Sequence, residues 1–220
     1  MVYAFEDDFN DNYLDPEKWV LDNVQFCSVY ERNQRLEIEP PPPPETGIIM
    51  GMYLITAKPE FDVTGGGQGF FVESDVYCVS GSPAIWVGLR DPTAFSYTLI
   101  KDSGEIKAVK IVNNEATVLG SRPAEAPLST LKIQQTENRI YFYENNHLIT
   151  SVENELPTNR VYVGLRGTLA SDQQTVWYDN FDVWAGELVW TTSITYQLMN
   201  LIYLIFVISL LVSILRLIRE

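Results

Sequence analysis

The feature that most restricts the fold of this chain is a stretch of 28 residues, 188–215, that contains no charged side chain. It includes the apolar run LMNLIYLIFVISLLVSIL. Residues 194–215 are long enough to cross a hydrocarbon core of about 30 Å as an α-helix. The sequence therefore predicts one transmembrane helix over 194–215, a juxtamembrane linker over 188–193 and a short tail over 216–220.

Nearly all of the charge lies before this stretch. The chain has 29 acidic and 15 basic residues, and only Arg216, Arg219 and Glu220 follow the apolar run. Residues 1–187 therefore hold 28 acidic and 13 basic residues, a net charge of −15. Proteins bind nucleic acid largely by neutralising its phosphates with basic residues, and a segment this acidic does not do so. Nucleic acid is therefore excluded as a partner. We interpret residues 1–187 as one acidic globular domain, because this length suits a single core.

The flanks of the apolar run indicate an orientation. Arg216 and Arg219 follow it and no basic residue directly precedes it, so the positive-inside rule places the tail in the cytoplasm or the interior of a virion. The β-domain is then extracytoplasmic, or on the virion exterior. The start of the chain, MVYAFEDDFND, has no secretory signal, which favours the opposite orientation.

The predicted helix also indicates contacts with lipid and with other subunits. Ser209 and Ser213 are four residues apart and share a helix face, a pattern typical of helix–helix contact, although a single lipid-facing helix tolerates such residues too. The predicted lipid contacts are apolar residues along the run: Ile194, Leu201, Ile205, Leu211 and Leu215.

Short alternating or apolar runs, separated by turn residues, fill the acidic domain. In LEIE, Leu36 and Ile38 lie on one face and Glu37 and Glu39 on the other. Asn-Asn pairs at 113–114 and 145–146 mark two tight hairpins, since Asn tolerates positive φ. No helical periodicity is present before the apolar run. The sequence predicts an all-β, antiparallel jelly-roll sandwich followed by one transmembrane α-helix.

Four segments resemble concanavalin A-like (laminin G-like) jelly-roll domains: FEDDFNDNYLDPEKW, GEIKAVKIV, RIYFYENNHLI and WYDNFDVWAG. The resemblance covers about residues 5–186. It implies that the first and last strands lie side by side and that Phe9 and Phe181 share a core region. Members of this family bind glycans, adhere to partners, hydrolyse polysaccharides or serve as architecture, so the fold alone does not select a function.

The resemblance allows one test for hydrolysis. Laminarinase-type members carry Glu-x-Asp-x-x-Glu on one strand, which places two carboxylates in a cleft. The nearest match is Glu73-Ser74-Asp75-Val76-Tyr77-Cys78, in which Cys78 replaces the second Glu. Glu37 and Glu39 share a face, but we interpret them as solvated carboxylates beside the proline run 40–44. We therefore predict no catalytic residues and no enzymatic activity.

Two other ligand sites are candidates. Asp7, Asp8 and Asp179 gather near the paired termini and offer oxygen ligands to Ca²⁺, although a solvated acidic patch is the alternative. No other cofactor is expected. Phe95 and Tyr97 are the candidates for exposed aromatic rings that bind a glycan. Cys27 and Cys78 pair only in an oxidising compartment, and the sequence leaves their state open.

These observations favour a non-enzymatic, membrane-anchored jelly-roll protein that serves as a structural or recognition component of a surface assembly. The assembly is a membrane-containing virion or a cell envelope, and the partners are the bilayer and other protein subunits. Two alternatives stay open. One is an accessory scaffold subunit of a membrane protein complex, and the other is a surface glycan-binding protein or glycoside hydrolase.

Overall fold

The computed structural model describes residues 3–63 and 69–185, and every helix or strand that it assigns in these ranges is a β-strand. Alternating burial explains why. In Phe70–Tyr77, every second side chain from Phe70 is buried, and those between lie half-exposed on the other side. This period of two suits a strand with one face in the core and the other facing outward. The prediction of an all-β antiparallel sandwich is confirmed.

The strands form two antiparallel sheets that pack face to face. In the back sheet the order is β14-β13-β12-β7-β16-β4-β3, and β1 also pairs with β16. Its strands are β1 (Tyr3–Asp7), β3 (Ser28–Arg32), β4 (Arg35–Glu39), β7 (Phe70–Tyr77), β12 (Leu128–Gln135), β13 (Arg139–Glu144), β14 (His147–Glu153) and β16 (Val176–Ala185).

In the front sheet the order is β11-β10-β9-β8-β15-β5-β2, and β6 also pairs with β15. Its strands are β2 (Trp19–Gln25), β5 (Met50–Ala57), β6 (Phe61–Asp62), β8 (Ala84–Gly88), β9 (Phe95–Asp102), β10 (Glu105–Val112), β11 (Glu115–Pro123) and β15 (Arg160–Ala170). The front sheet carries the cleft described below.

The first and last strands lie side by side, as the family resemblance implies. β1 pairs with β16 in antiparallel register, with Asp7 opposite Phe181. Phe9 and Phe181 are both fully buried, and Trp19 lies against each of them, with ring centroids 5.7 and 5.0 Å away. The expected shared core region is therefore confirmed.

Both predicted Asn-Asn hairpins are present. Asn113 and Asn114 join β10 to β11, and Asn145 and Asn146 join β13 to β14, each with φ between 50° and 68°. Positive φ at both central residues gives the turn a twist that matches its flanking strands. Local side-chain chemistry was therefore sufficient to predict these two hairpins.

A pair of buried tyrosines joins the two sheets through hydrogen bonds. The hydroxyl groups of Tyr53 on β5 and Tyr178 on β16 lie 2.7 Å apart, and both rings are buried. The Tyr178 hydroxyl also accepts a hydrogen bond from the Ala84 N–H at 3.0 Å and lies 3.2 Å from the Arg166 carbonyl oxygen. One side chain of the back sheet thus binds three neighbouring strands of the front sheet.

The predicted transmembrane helix (194–215), its linker and its tail lie outside the described residues, as do Ser209 and Ser213. Within residues 3–63 and 69–185, no helix long and apolar enough to cross a membrane is found. The anchor, its lipid and subunit contacts, and the domain boundary at 187 stay predictions.

We expect Tyr178→Phe to destabilise the protein by about 1–3 kcal/mol, because it leaves buried polar groups of Tyr53 and Ala84 without a partner. The measurement is urea unfolding followed by tryptophan fluorescence. Tyr141→Phe, which removes a hydroxyl from the outer face of the back sheet, is the control and should change stability by less than about 0.5 kcal/mol. Equal stability of Tyr178→Phe and the unmodified protein would contradict this role.

Candidate functional site

A cleft of about 410 Å³ lies on the outer face of the front sheet. Strand register builds its floor as a row of residues that face each other across five neighbouring strands. The cleft is also lined by two loop residues, Pro92 and Thr93, and by two strand residues, Val109 and Ile111. The row consists of Asn23, Leu54, Arg166, Ala84 and Ile100.

Trp86 lies on the outer side of β8, two residues along the strand from Ala84 of this row. Its strand neighbours Ile85 and Val87 face the core between the sheets. Trp86 is opposite Gly164, and a Cβ atom added there would lie only 3.0 Å from Trp86 Nε1 and 2.0 Å from a backbone oxygen. The absence of a side chain at Gly164 therefore leaves room for the indole. Trp86 Nε1 is buried and has no hydrogen-bond acceptor among the described residues.

Arg166 is the charged residue in the lining of the cleft. Its Nη1 atom is buried and unpaired among the described residues. Burial lowers the pKa of Arg166, and no carboxylate contributes to the shift. Arginine nevertheless stays protonated in proteins, so the cleft contains a positive charge.

The lining sets what this cleft can do chemically. None of the described residues that line it is Asp or Glu. Hydrolysis of a glycosidic bond normally uses two carboxyl groups, and this lining does not provide them. It provides apolar contacts and N–H donors, which suit binding of a ring-shaped, oxygen-rich ligand.

Carboxylates gather instead on the outer face of the back sheet, in an acidic strip formed by Glu73 and Asp75 on β7 and Asp179 and Asp182 on β16. Asp182 lies opposite Glu73, and Asp179 lies opposite Asp75. Burial, with Glu73, Glu6 and Asp75 nearby, raises the pKa of Asp182 to about 6. Burial also raises the pKa of Asp179. A cavity of about 320 Å³ adjoins Asp182.

Aromatic pairs lie at both ends of the acidic strip. Phe71 and Trp184 stack at one end, with ring centroids 6.1 Å apart. Tyr77 and Trp177 stack at the other end at 5.2 Å, nearly parallel. Lys132 lies 4.3 Å above the Phe71 ring and also binds Glu73 at 2.9 Å. The face therefore combines carboxylates with flat apolar surfaces.

The structure places the predicted hydrolase motif on the back sheet. Glu73 and Asp75 face outward from β7, but Cys78 is buried and follows the strand. Cys27 and Cys78 are free thiols. The interpretation of Glu37 as solvated was wrong: it is 3% exposed, because Arg32, Asn33 and Arg35 donate hydrogen bonds to its carboxylate.

The expectation of exposed rings at Phe95 and Tyr97 was also wrong. Both face the core between the sheets, where Phe95 is 9% exposed and Tyr97 is fully buried. Their positions alternate with Ser96 and Thr98, so the strand period turns the aromatic residues inward and the hydroxyl residues toward the front-sheet surface. The Tyr97 hydroxyl accepts a hydrogen bond from the Glu155 N–H at 3.1 Å.

The three residues predicted to bind calcium have different surroundings. Asp7 is buried and accepts hydrogen bonds from Trp19 Nε1 at 2.7 Å and from the Phe9 N–H at 3.2 Å. Asp8 accepts one from Asn10, and Asp179 belongs to the acidic strip. No group of three or more His, Cys, Asp or Glu residues is arranged to hold a metal ion in the described ranges. The calcium site stays a prediction.

Neither a protein-family model nor a curated protein sequence matches the chain. Solved structures do match it. SCLam, a non-specific endo-β-1,3(4)-glucanase from family GH16, is 13% identical, with a TM-score of 0.61 over 84% of this chain and 92% of the glucanase. The laminarinase from Flavobacterium sp. UMI-01 is 15% identical, with a TM-score of 0.60 over 81% of this chain and 98% of the laminarinase.

An endo-β-galactosidase from Clostridium perfringens is 12% identical, with a TM-score of 0.58 over 83% of this chain and 62% of that enzyme. At these identities the likeness shows the fold, and the chain has the jelly-roll sandwich of these hydrolases. The predictions of a structural component of a surface assembly and of a non-enzyme are contradicted, because these structural neighbours are enzymes that act on polysaccharides. The glycan-related alternative is the better interpretation.

Sequence reasoning missed Arg166, whose Nη1 donor on the front sheet has no acceptor among the described residues. One signal was available for Arg166. It interrupts the apolar run VYVGLRGTL, and a charge within such a strand either pairs, faces solvent or serves a ligand. Which of these applies depends on the strands beside it.

Replacing Asp182 should change how stability depends on pH. Because its pKa rises from 3.8 to about 6 on folding, the folded state binds this proton more tightly, and that stabilisation is lost between about pH 4 and pH 6. We expect Asp182→Asn to be more stable than the unmodified protein at pH 7, by about 1 kcal/mol, and to lose this advantage below about pH 4. Chemical unfolding across this pH range measures the difference.

Asp91→Asn is the control of opposite sign. Hydrogen bonds from the Thr93 side chain and backbone lower the pKa of Asp91, so its ionised form stabilises the folded state. This variant should be less stable than the unmodified protein at pH 7. An Asp182→Asn variant without a gain at neutral pH would show that the acidic strip is too well solvated to perturb Asp182.

Proposed function

We propose that the protein binds an extended polysaccharide chain in the cleft on the front sheet. The observation that carries this proposal is a buried N–H donor in the lining of that cleft, Arg166 Nη1, which has no acceptor among the described residues. A buried N–H group without an acceptor costs about 1–3 kcal/mol, which a ligand oxygen in the cleft offsets. Sugar rings provide such oxygens together with apolar faces that suit Leu54, Ala84 and Ile100.

The structural neighbours favour β-linked polysaccharides as the ligand class. Two of the neighbours named above are glucanases or laminarinases, and the third releases a disaccharide as an endo-β-galactosidase. A floor that crosses five strands of about 4.8 Å spacing is long enough for several sugar units. The predicted position of the domain outside the cytoplasm, inferred from the basic residues after the apolar run, would expose the cleft to such polysaccharides.

Glycoside hydrolysis at the acidic strip is a second candidate function. Directly opposed residues of an antiparallel pair have Cβ atoms about 4.5–5.5 Å apart, and Glu73 and Asp182 are such a pair. Both carboxyl groups therefore lie on one face of neighbouring strands, as a retaining mechanism requires, since it needs carboxyl groups about 5–5.5 Å apart. Asp182 would donate its proton to the leaving oxygen, and Glu73 would attack the anomeric carbon. Water would then release the sugar from Glu73 as Asp182 takes up a proton.

Filling the cleft should weaken glycan binding. Thr168 lines the cleft and is half-buried, so Thr168→Trp should lower affinity for laminarihexaose about tenfold or more, as measured by isothermal titration calorimetry. Gln134→Trp adds the same side chain to the outer face of the back sheet and should leave affinity unchanged. Loss of binding in Gln134→Trp but not in Thr168→Trp would place the glycan on the other sheet.

Two substitutions test hydrolysis. Glu73→Gln and Asp182→Asn should each lower the release of reducing ends from laminarin about 100-fold or more, because each removes one of the two carboxyl groups that the reaction needs. Glu155→Gln, which removes a carboxylate near Lys110, is the control and should retain full activity. No release of reducing ends by the unmodified protein, or equal rates in all variants, would reject the acidic strip as the hydrolytic site.

A further inference from the structure

Arg166 differs from the other described arginines in its partners. Most of them contact a carboxylate, as Arg90 does when it binds Asp22 through two hydrogen bonds of 2.5 and 2.8 Å. Arg139 donates to Ser151 instead. The Arg166 side chain has no hydrogen bond or ion pair with any residue in ranges 3–63 and 69–185. The arginines that contact carboxylates are Arg32, Arg35, Arg90, Arg122 and Arg160.

An unpaired cation in this position is costly. Removing a guanidinium from water without a partner costs several kcal/mol in a protein interior, and Arg166 is partly removed from water. The chain has 29 acidic residues, yet among those in ranges 3–63 and 69–185 none lines the cleft. The nearby floor is apolar, because Leu54 and Ala84 lie on either side of Arg166 in the strand register. The charge therefore has no partner within the part of the chain that the structure describes.

We propose that the cleft recognises an acidic saccharide, in which a carboxylate or sulfate ester on the sugar binds the free N–H groups of Arg166. This inference rests on the proposed glycan-binding function and names the chemical class of its ligand. Guanidinium presents planar N–H donors that match two oxygens of such an anion.

The surroundings of Arg166 suit an anion. Its backbone position is held by the Tyr178 hydroxyl, which lies 3.2 Å from the Arg166 carbonyl oxygen. Asp22, on the neighbouring edge of the front sheet, is already bound by Arg90 and by Thr56. The carboxylates of the acidic strip belong to the opposite face of the sandwich. A sugar anion in the cleft thus meets one positive charge and no competing carboxylate among the described residues that line it.

Matched oligosaccharides test the inference on the full-length protein. The probes are laminarihexaose, the same hexasaccharide oxidised at C6 to glucuronate, and the same hexasaccharide carrying sulfate esters. Calorimetry should show that at least one acidic form binds about ten- to a hundredfold more tightly than the neutral form, as expected for charge-assisted hydrogen bonds. The advantage should shrink as sodium chloride is raised. The two acidic probes distinguish carboxylate from sulfate recognition.

Three variants separate specific recognition from general charge. Arg166→Gln should remove the preference, so that it binds the acidic and the neutral probes with equal affinity, and Arg166→Lys should retain part of the preference. Arg160→Gln removes one positive charge from the same strand and the same face, but its side chain is 68% exposed and pairs with Glu60. It should keep the preference. Circular dichroism and thermal unfolding confirm that each variant is folded.

The outcomes distinguish the two proposals. Equal affinity for neutral and acidic probes, or an acidic preference that survives in Arg166→Gln, would overturn the inference and leave glycan binding intact. An equal loss in Arg160→Gln would also overturn it, since the effect would then be general electrostatics. If none of the three probes binds, the proposed glycan-binding function and the inference are both rejected.

Discussion

The hydrogen bond between Tyr53 and Tyr178 is the interaction on which the arrangement of both sheets depends. Apolar contacts between two sheets are not directional, so they permit sliding, whereas a buried hydroxyl pair has strict geometry. The Tyr178 hydroxyl also reaches Ala84 and Arg166, which lie beside each other on β8 and β15. The same side chain that aligns the sheets therefore positions the floor of the cleft.

The two outer faces of the sandwich differ in chemistry, because different side chains point outward from each sheet. The front sheet has an apolar cleft, a positive charge at Arg166 and unpaired donors. The back sheet has carboxylates at Glu73 and Asp182 between stacked aromatic pairs. Because the two faces are separated by the core, a ligand that binds one face does not contact the other. Binding and hydrolysis are thus separate hypotheses about separate surfaces.

Local patterns were sufficient to predict much of the fold. The Asn-Asn turns and the adjacency of β1 and β16 follow from turn chemistry and the family resemblance. The site was harder to predict. Phe95 and Tyr97 were expected to be exposed, but alternation alone does not say which side of a strand faces the core. Asp182 gained its carboxylate neighbour Glu73 only because β16 lies beside β7, a pairing between residues distant in sequence.

By itself, the sequence determined the all-β class, the hairpin turns and the strong acidity of the domain, because these depend on residues close together in the chain or on composition alone. The tertiary structure decided which carboxylates gather, which arginine stays unpaired and which aromatic rings are covered. The physical reason is that desolvation and charge pairing depend on residues brought together from distant strands. Arg166 shows this most clearly, because only the fold reveals that its buried Nη1 atom has no hydrogen-bond partner among the described residues.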